Sequence, residues 1–217
     1  MSWRKEERRA ERGYHHGNLK EALIQAALDL IAQKGAAGFT FADAARMAGV
    51  SPAAPYRHFR DRDELLSLIA QRGFEQFEAS LTGAWDDGRP DTVTAFERVG
   101  KAYLAFARDE PAFYAVMFEA RIGFDAYPAL LAASDRAFAV LRDAVEHLIA
   151  TLPREKRPPS LMVALHIWAF SHGIASLFVR ADPSRRKLPM PPEDLLEAGI
   201  LLYLQSLGLA GGPMGGG

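Results

Sequence analysis

The chain is chemically most unusual in residues 49–65, GVSPAAPYRHFRDRDEL, which mix prolines, aromatic residues and arginines. This segment and the residues just before it contain hydroxyl, imidazole and guanidinium donors. Helices are also predicted to start here, and the free N–H groups at a helix start favour phosphate binding. Donors of these kinds in one short region are typical of contacts to the phosphate backbone of a nucleic acid. The candidate phosphate contacts are Thr40, Ser51, Tyr56, His58 and Arg62.

Four further residues in this region are candidates for contacts to bases. Ala53 and Ala54 are small enough to let a helix approach DNA closely, and a methyl group can touch a thymine methyl. Arg46 and Arg57 are the side chains most able to read guanine, although each could equally be a phosphate contact or an ordinary solvated charge. Together these residues predict a surface that binds double-stranded DNA.

Other residue types with catalytic or metal-binding chemistry form no recognisable constellation. His15 and His16 are adjacent in a polar segment, and His166 and His172 are spaced so that they lie about 120° apart around a helix. Ser171 precedes His172, but sequence neighbours on a helix point in different directions, and the G-x-S-x-G pattern is absent. We therefore predict no metal site, no cofactor and no enzymatic activity.

Helical spacing of apolar residues recurs along most of the chain and strand-like alternation is scarce, which predicts an all-α protein. The first helix is predicted after Asn18, which can form a capping box with Glu21, and Gly35 is its predicted stop. Thr40 and Asp43 predict the start of a second, short helix, FADAARMA, which the glycine of AGV ends.

A third helix of barely two turns is predicted over residues 52–59, with Ser51 as its N-cap and a proline at its first position. Residues 40–59 then form a helix-turn-helix, whose second helix lies in a DNA major groove. Because so short a helix buries little surface, we expect Val50 and Phe59 to hold it against the preceding helix.

Further helices follow, separated by segments rich in glycine, proline and charged residues. One begins near Asp61 to Glu64, where acidic residues suit the helix dipole, and extends to about Leu81 before the break TGAWDDGRPD. The remaining predicted helices span about residues 91–108, 111–119, 128–151, 160–180 and 192–207.

Composition restricts the class of protein further. With 217 residues, 49% of them hydrophobic, the chain can build a substantial core. The net charge is -1, but residues 1–72 hold 12 basic and 9 acidic residues, so the positive balance lies in the region with the candidate DNA contacts.

The absence of cysteine and of an apolar N-terminal run favours the cytoplasm. Residues 160–179 are uncharged and long enough to span a bilayer, but we expect no membrane insertion and a helix buried in the protein or against a second subunit.

Four regions are predicted along the chain. Residues 1–16 form a flexible basic arm, which could enter a minor groove or remain solvated. Residues 17–66 form a DNA-binding domain of three helices, and residues 67–208 form a second helical domain. Residues 209–217, with the sequence LAGGPMGGG, are predicted to be a disordered tail.

The segment FTFADAARMAGVSPAAPYRHFRDRDELL resembles the DNA-binding region of the tetracycline-repressor (TetR) family, over roughly residues 17–66. The shared features are a hydroxyl residue before the second helix, the A...AGVS spacing, and a tyrosine followed after one residue by an aromatic residue or histidine and then phenylalanine. Pro55 departs from the usual aliphatic residue and removes the first intrahelical hydrogen bond. The resemblance implies base contacts at Ala53 and Ala54 and phosphate contacts at Thr40, Ser51, Tyr56, His58 and Arg62.

A second segment, WAFSHGIASLF, resembles a tryptophan, histidine and glycine pattern of one subgroup of TetR ligand-binding domains through Trp168, His172 and Gly173. The resemblance implies a homodimeric repressor whose last two long helices pair across a two-fold axis. The helices over 160–180 and 192–207 are too apolar to be left exposed, which agrees with a symmetric interface. Packing with one hydrogen bond is the simpler role for Trp168 and His172.

Large aromatic side chains with few charges are dense in the middle of the chain, where they can build an apolar pocket with a polar rim. Most of these aromatic residues are expected to be ordinary core. The candidate residues for an inducer cavity are Tyr103, Phe106, Tyr114, Met117, Phe118, Phe138, His166, Phe170 and His172.

The sequence therefore predicts a DNA-binding transcriptional regulator, a repressor that a small apolar inducer releases from a near-palindromic operator. Two other classes remain open. One is a helical adaptor or small-molecule-binding protein without DNA affinity, and the other, with less support from the residues, is an enzyme.

Overall fold

The computed structural model describes residues 19–179 and 189–209, and the regular structure in these ranges is helical throughout, which confirms the all-α prediction. The predicted N-cap Asn18, the basic arm and most of the tail lie outside these residues. The α-helices are α1 (Leu19–Lys34), α2 (Phe41–Met47), α3 (Arg62–Trp85), α4 (Thr92–Asp109), α5 (Pro111–Glu119), α6 (Pro128–Ile149), α7 (Ser160–Ile174) and α8 (Pro192–Ser206).

The chain divides into two compact units. Among the described residues, the first contains those up to Ala70 together with Ala112–Tyr127, and the second contains Gln71–Pro111 and those from Pro128 onwards. The sequence predicts a domain boundary near residue 66, and in the structure the segment Ala112–Tyr127 also groups with the first unit. Periodicity shows that a segment is helical, but not which distant segment it packs with.

In the first unit, α1 and α2 begin and end where local sequence signals predict. Leu23, Ile24 and Leu30 on α1 are buried, and Gly35 ends the helix with φ +77°, a conformation that favours glycine. Thr40 caps α2. Gly49 follows α2 with φ +70°, and its N–H and that of Val50 close a Schellman motif by donating to the carbonyls of Arg46 and Ala45.

The predicted third helix over residues 52–59 is not an α-helix. Its only helical residues are Pro55–Arg57, a single 3-10 turn. Most of the hydrogen bonds around this turn join residues three apart, such as Ala54 N–H to Ser51 O at 2.9 Å. The physical reason is that Pro55, the fourth residue of the predicted helix, lacks the N–H group that would donate the first intrahelical hydrogen bond, whereas proline is tolerated at the first position. Phe59 is buried as expected, with 3% of its surface exposed.

Helix α3 continues to Trp85, four residues beyond the predicted end near Leu81. The extension is stabilised by burial of Trp85, whose ring meets the His147 ring edge to face with centroids 5.6 Å apart. At its other end, Asp61 accepts a hydrogen bond from the Glu64 N–H at 2.8 Å, and the acidic residues of the first turn suit the dipole as predicted.

The second unit is built on α4, which contacts α6, α7 and α8. Its buried face carries Phe96, Val99 and Tyr103 at helical spacing. A Cβ on Gly100 would lie 3.2 Å from a methyl carbon of Leu196, so glycine permits the close approach of α8. Apolar packing and close helix approach therefore organise this unit.

Helix α7 is apolar on every side and continues into a π-helical turn, Ala175–Val179. By length and composition alone, Ser160–Phe178 is the one helical stretch in the described ranges that could cross a bilayer. Several large apolar side chains on α7, on its π-helical turn and on α8 are exposed, a set that we call the apolar surface: Leu161, Met162, Leu165, Phe170, Leu177, Leu201 and Leu202.

Candidate nucleic-acid interface

The 3-10 turn presents its polar side chains outwards. Tyr56, Arg57 and His58 are exposed, as are Ser51 and Ala53 just before the turn. We call these five residues the reading surface. The structure thus brings together five of the nine residues predicted to contact DNA, on one short segment.

Tyr56 is exposed but held in place. Although 63% of its surface is exposed, its ring meets the buried Phe41 ring edge to face, with centroids 5.2 Å apart. The ring packing fixes the aromatic part and leaves the hydroxyl free to reach outwards. Tyr56 is therefore a preorganised donor, and sequence analysis had not identified Phe41, the apolar first residue of α2, as its support.

Phe59 holds the other end of the turn. Its ring lies 6.5 Å from the Phe41 ring, and the Lys20 Nζ lies 5.6 Å from its centroid, within range of a cation–π interaction. The Phe59 N–H donates to Pro55 O at 3.0 Å. A segment without a regular helix is thus fixed by aromatic contacts at both ends.

Ala54 differs from its expected role. It was predicted to face bases, but only 8% of its surface is exposed, because it points towards the core while Ala53 points outwards. Both alanines precede the 3-10 turn, and adjacent residues there point to different sides. Of the two, only Ala53 is exposed.

The Thr40 hydroxyl is already engaged. It donates to Asp43 Oδ2 at 2.9 Å, while Asp43 N–H donates to Thr40 Oγ1 and Thr40 N–H donates to the carboxylate, both at 3.2 Å. This capping box lowers the pKa of Asp43, with the Thr40 side-chain hydrogen bond as the main cause. Thr40 therefore positions α2, and because it is also exposed, its phosphate contact stays a prediction.

Arg46 and Arg62 have different surroundings. Arg46 lies on α2 with 76% of its side chain exposed and pairs with Asp43, an exposed pairing that costs little to exchange for a phosphate. Arg62 is half-buried, with 33% of its side chain exposed, and its guanidinium donates to the carbonyls of Ala36 and Phe39. Two of its nitrogens thus bind the protein itself, whereas the sequence predicted a phosphate contact.

The start of α3 near Arg62 is acidic. Asp61 and Asp63 are exposed, and they add to the burial that raises the pKa of the Tyr127 hydroxyl. Arg60 uses its N–H and its guanidinium to bind Glu64, at 2.6 and 3.3 Å. This side of the unit is less favourable for a phosphate than the reading surface.

The predicted ligand residues lie in different places in the part of the chain that the structure describes. Tyr103 lines a small, partly enclosed pocket in the second unit with a volume of about 20 Å³, room for one water molecule. His166 and Phe170 lie on the outside, in an open depression. Phe106 and Phe138 pack against Phe77 and Trp168 respectively, while Tyr114, Met117 and Phe118 belong to the first unit.

One polar contact stands out in the second unit. The Tyr103 hydroxyl lies 3.0 Å from His172 Nδ1, and burial lowers the pKa of His172, which favours its neutral form. His172 Nε2 also lies 3.4 Å from the Ser176 hydroxyl, in the π-helical turn. In residues 19–179 and 189–209, no group of three His, Asp or Glu side chains is placed to hold a metal ion.

Two family models match the chain. The model for bacterial regulatory proteins of the tetR family matches residues 23–69, which include the reading surface, and the model for a tetracyclin repressor-like C-terminal domain matches residues 96–203. The two matches cover most of the residues that the structure describes.

Individual proteins are similar to this chain in sequence or fold. The nucleoid occlusion factor SlmA of Aliivibrio fischeri is 30% identical over 109 residues, which are 47% of this chain and 55% of SlmA. The chain thus spans about half the length of the curated relatives that it matches.

Two solved structures share the fold. A protein of unknown function from Rhodococcus sp. RHA1 has a TM-score of 0.74 and 28% identity, over 91% of this chain and 98% of that one. AibR, solved in complex with isovaleryl coenzyme A and operator DNA, has a TM-score of 0.65 and 16% identity, over 84% of this chain and 96% of its own.

Proposed function

This chain belongs to the TetR family of bacterial transcriptional regulators, and we propose that it is a repressor that binds a near-palindromic operator as a homodimer. The observation that carries the proposal is the exposed, aromatically supported reading surface within the region that matches the family's DNA-binding model. A bacterial regulator of this kind acts in the cytoplasm, and we assign it no enzymatic activity.

The reading surface supplies both kinds of contact that DNA recognition needs. The Tyr56 hydroxyl and the His58 ring are donors for phosphate oxygens, and Arg57 can serve either a phosphate or a guanine edge. Ala53 is the small residue that permits close approach, and Ser51 adds a hydroxyl. Because the Tyr56 ring is packed on Phe41, little side-chain entropy is lost on binding.

The apolar surface supports dimerisation. Residues 160–179 carry no formal charge, and Leu177 and Leu202 are 57% and 68% exposed in the single chain. A symmetric pairing of α7 and α8 with the same helices of a second copy would cover this area without a bilayer. Two reading surfaces could then enter major grooves about 34 Å apart, one helical turn of DNA.

A small-molecule effector fits the second unit. Its core is apolar, and the Tyr103 and His172 pair offers a neutral hydrogen-bonding point, which favours an apolar molecule with an uncharged polar group. The pocket beside Tyr103 has a volume of only about 20 Å³, so a molecule that binds there would separate α4 from its neighbours. Opening the unit in this way couples binding to helix movement, and the effector releases DNA only through its differential affinity for the two states. The AibR complex shows that a protein of this fold can be solved with both an acyl coenzyme A and operator DNA.

The proposal is tested by a gel shift of the pure protein on the duplex upstream of its own coding sequence, at two salt concentrations. We expect binding that weakens steeply with salt, because phosphate contacts release counterions. A random duplex of the same length is the control for specificity. A protein that shifts neither duplex at low salt is an adaptor or a small-molecule-binding protein, and the regulator proposal is then wrong.

A further inference from the structure

Arg62 stands at an unfavourable place for a cation. It is the first residue of α3, where the partial positive charge of the helix dipole favours the acidic residues that follow it. Its nearest carboxylate is that of Asp63, an exposed neighbour 3.7 Å away. Only 33% of the Arg62 side chain is exposed, so neither the dipole nor this loose ion pair accounts for its position.

The Arg62 guanidinium makes three contacts with one loop. Its Nε donates to Phe39 O at 3.3 Å, its terminal nitrogen donates to Ala36 O, and its central carbon lies 4.9 Å from the centroid of the Phe39 ring. A planar guanidinium can form two hydrogen bonds and stack on a ring at the same time, which a lysine ammonium cannot do. These contacts require arginine, not merely a positive charge.

The loop that Arg62 holds follows a restricted path. Gly35 has a left-handed conformation, and a Cβ on Gly38 would lie 2.6 Å from the Lys34 carbonyl oxygen. Ala36 and Phe39 are buried, with 4% and 2% of their surface exposed. The loop leads directly into Thr40, the N-cap of α2, so its path sets where α2 begins.

We propose that Arg62 is a positioning residue for DNA recognition, which fixes the loop over residues 36–39 and through it α2, and that it does not contact phosphate. The inference rests on the proposed DNA binding. The link to the reading surface is Phe41, the first residue of α2, on which the Tyr56 and Phe59 rings pack. A shift of the loop therefore moves the support of the DNA-contacting side chains.

The salt dependence of DNA affinity distinguishes a positioning residue from a residue that contacts phosphate. A phosphate contact contributes about 0.9 to the slope of log K against log salt, whereas a positioning residue changes affinity without changing that slope. We would measure binding to a fluorescent duplex from the upstream region for wild type, Arg62→Ala and Arg62→Lys, with Arg57→Ala as the exposed arginine control. We expect both Arg62 variants to lose about tenfold in affinity, because hydrogen bonds to a charged group are lost in each, with an unchanged slope.

Two results overturn the proposal. One is a slope that falls by about 0.9 in Arg62→Ala, and the other is wild-type binding by Arg62→Lys, since lysine keeps the charge but not the planar contacts. Arg62→Lys decides the question if Arg62→Ala fails to fold.

Hydrogen exchange without DNA provides an independent measurement. We expect the amides of residues 36–41 to exchange at least about fivefold faster in Arg62→Lys than in wild type, because a local restraint is lost. Unchanged exchange would show that Arg62 does not hold the loop. If wild type binds no duplex, the proposed function fails, and the exchange result still shows separately whether Arg62 holds the loop.

Discussion

The two units of this chain hold their shapes by different means. The first is fixed by local polar devices: a capping box at Thr40, a glycine-ended helix at Gly49, and the Arg62 contacts with the loop before α2. The second is fixed by apolar packing around α4, with one polar pair between Tyr103 and His172. Directional bonds place a small number of side chains accurately, while a packed apolar core can open to admit a molecule. The contrast matches a unit that reads DNA and a unit that responds to a ligand.

The largest expected effect comes from the core of the second unit. Phe96→Ala should lower the free energy of unfolding by about 3–5 kcal/mol, because it removes a fully buried ring and leaves a cavity. Chemical denaturation followed by circular dichroism measures this loss. The control is Phe96→Leu, for which we expect a much smaller loss. Equal losses for the two variants would mean that packing volume does not govern the second unit.

The next largest effect concerns the apolar surface. Leu202→Glu places a charge on an exposed position of α8, so the single chain should still fold. The dissociation constant of the dimer should rise at least about tenfold. Sedimentation equilibrium measures the change, with Arg142→Glu on α6 as the control. Operator affinity should fall together with dimerisation. A Leu202→Glu protein that remains a dimer would place the subunit interface elsewhere.

A smaller effect is expected on the reading surface. Tyr56→Phe should weaken binding to the operator and to random DNA by about fivefold each, because one hydrogen bond of about 1 kcal/mol is lost to both. Tyr56→Ala should lose more, since the ring contact with Phe41 also disappears. Fluorescence anisotropy on the two duplexes gives both affinities. A loss of affinity for the operator alone would show that Tyr56 contacts a base and not a phosphate.

The smallest effect is the acid dependence of the α2 cap. Because hydrogen bonds from Thr40 lower the pKa of Asp43 below its ordinary value of 3.8, the cap stabilises the fold above that pH, and the stabilisation is lost as pH falls through the lowered pKa. Asp43→Asn should therefore be less stable than wild type at neutral pH and nearly equal to it at pH about 2. Thermal unfolding at both pH values measures the difference. A constant difference between the proteins would exclude a charge effect.

Much of the fold could be predicted because its signals are local. The structure confirms the start of α2 predicted from Thr40 and Asp43, and the ends of α1 and α2 predicted from the glycines that follow them. Each of these predictions depends on only a few neighbouring residues. Helical periodicity likewise predicted the positions of the eight α-helices to within a few residues. Local chemistry is sufficient for these features because their hydrogen bonds join residues only three to five positions apart.

The features that the sequence did not reveal depend on distant contacts. Arg62 meets a loop more than twenty residues earlier in the chain, and only the folded structure shows that its Nε and one terminal nitrogen donate there. Ala54 and Ala53 are identical in type and adjacent, yet the folded chain buries Ala54 and exposes Ala53. The predicted ligand residues were chosen by type, and type alone does not tell whether an aromatic ring lines a cavity or fills it.

The central claim is that the reading surface is the part of the chain that meets DNA. Hydrogen exchange of the wild-type protein, with and without the duplex upstream of its own coding sequence, tests this most directly. The account predicts slower exchange in residues 50–59 and in α2 when the duplex is present, at a salt concentration where binding is complete. Binding without added protection in residues 50–59 would contradict it.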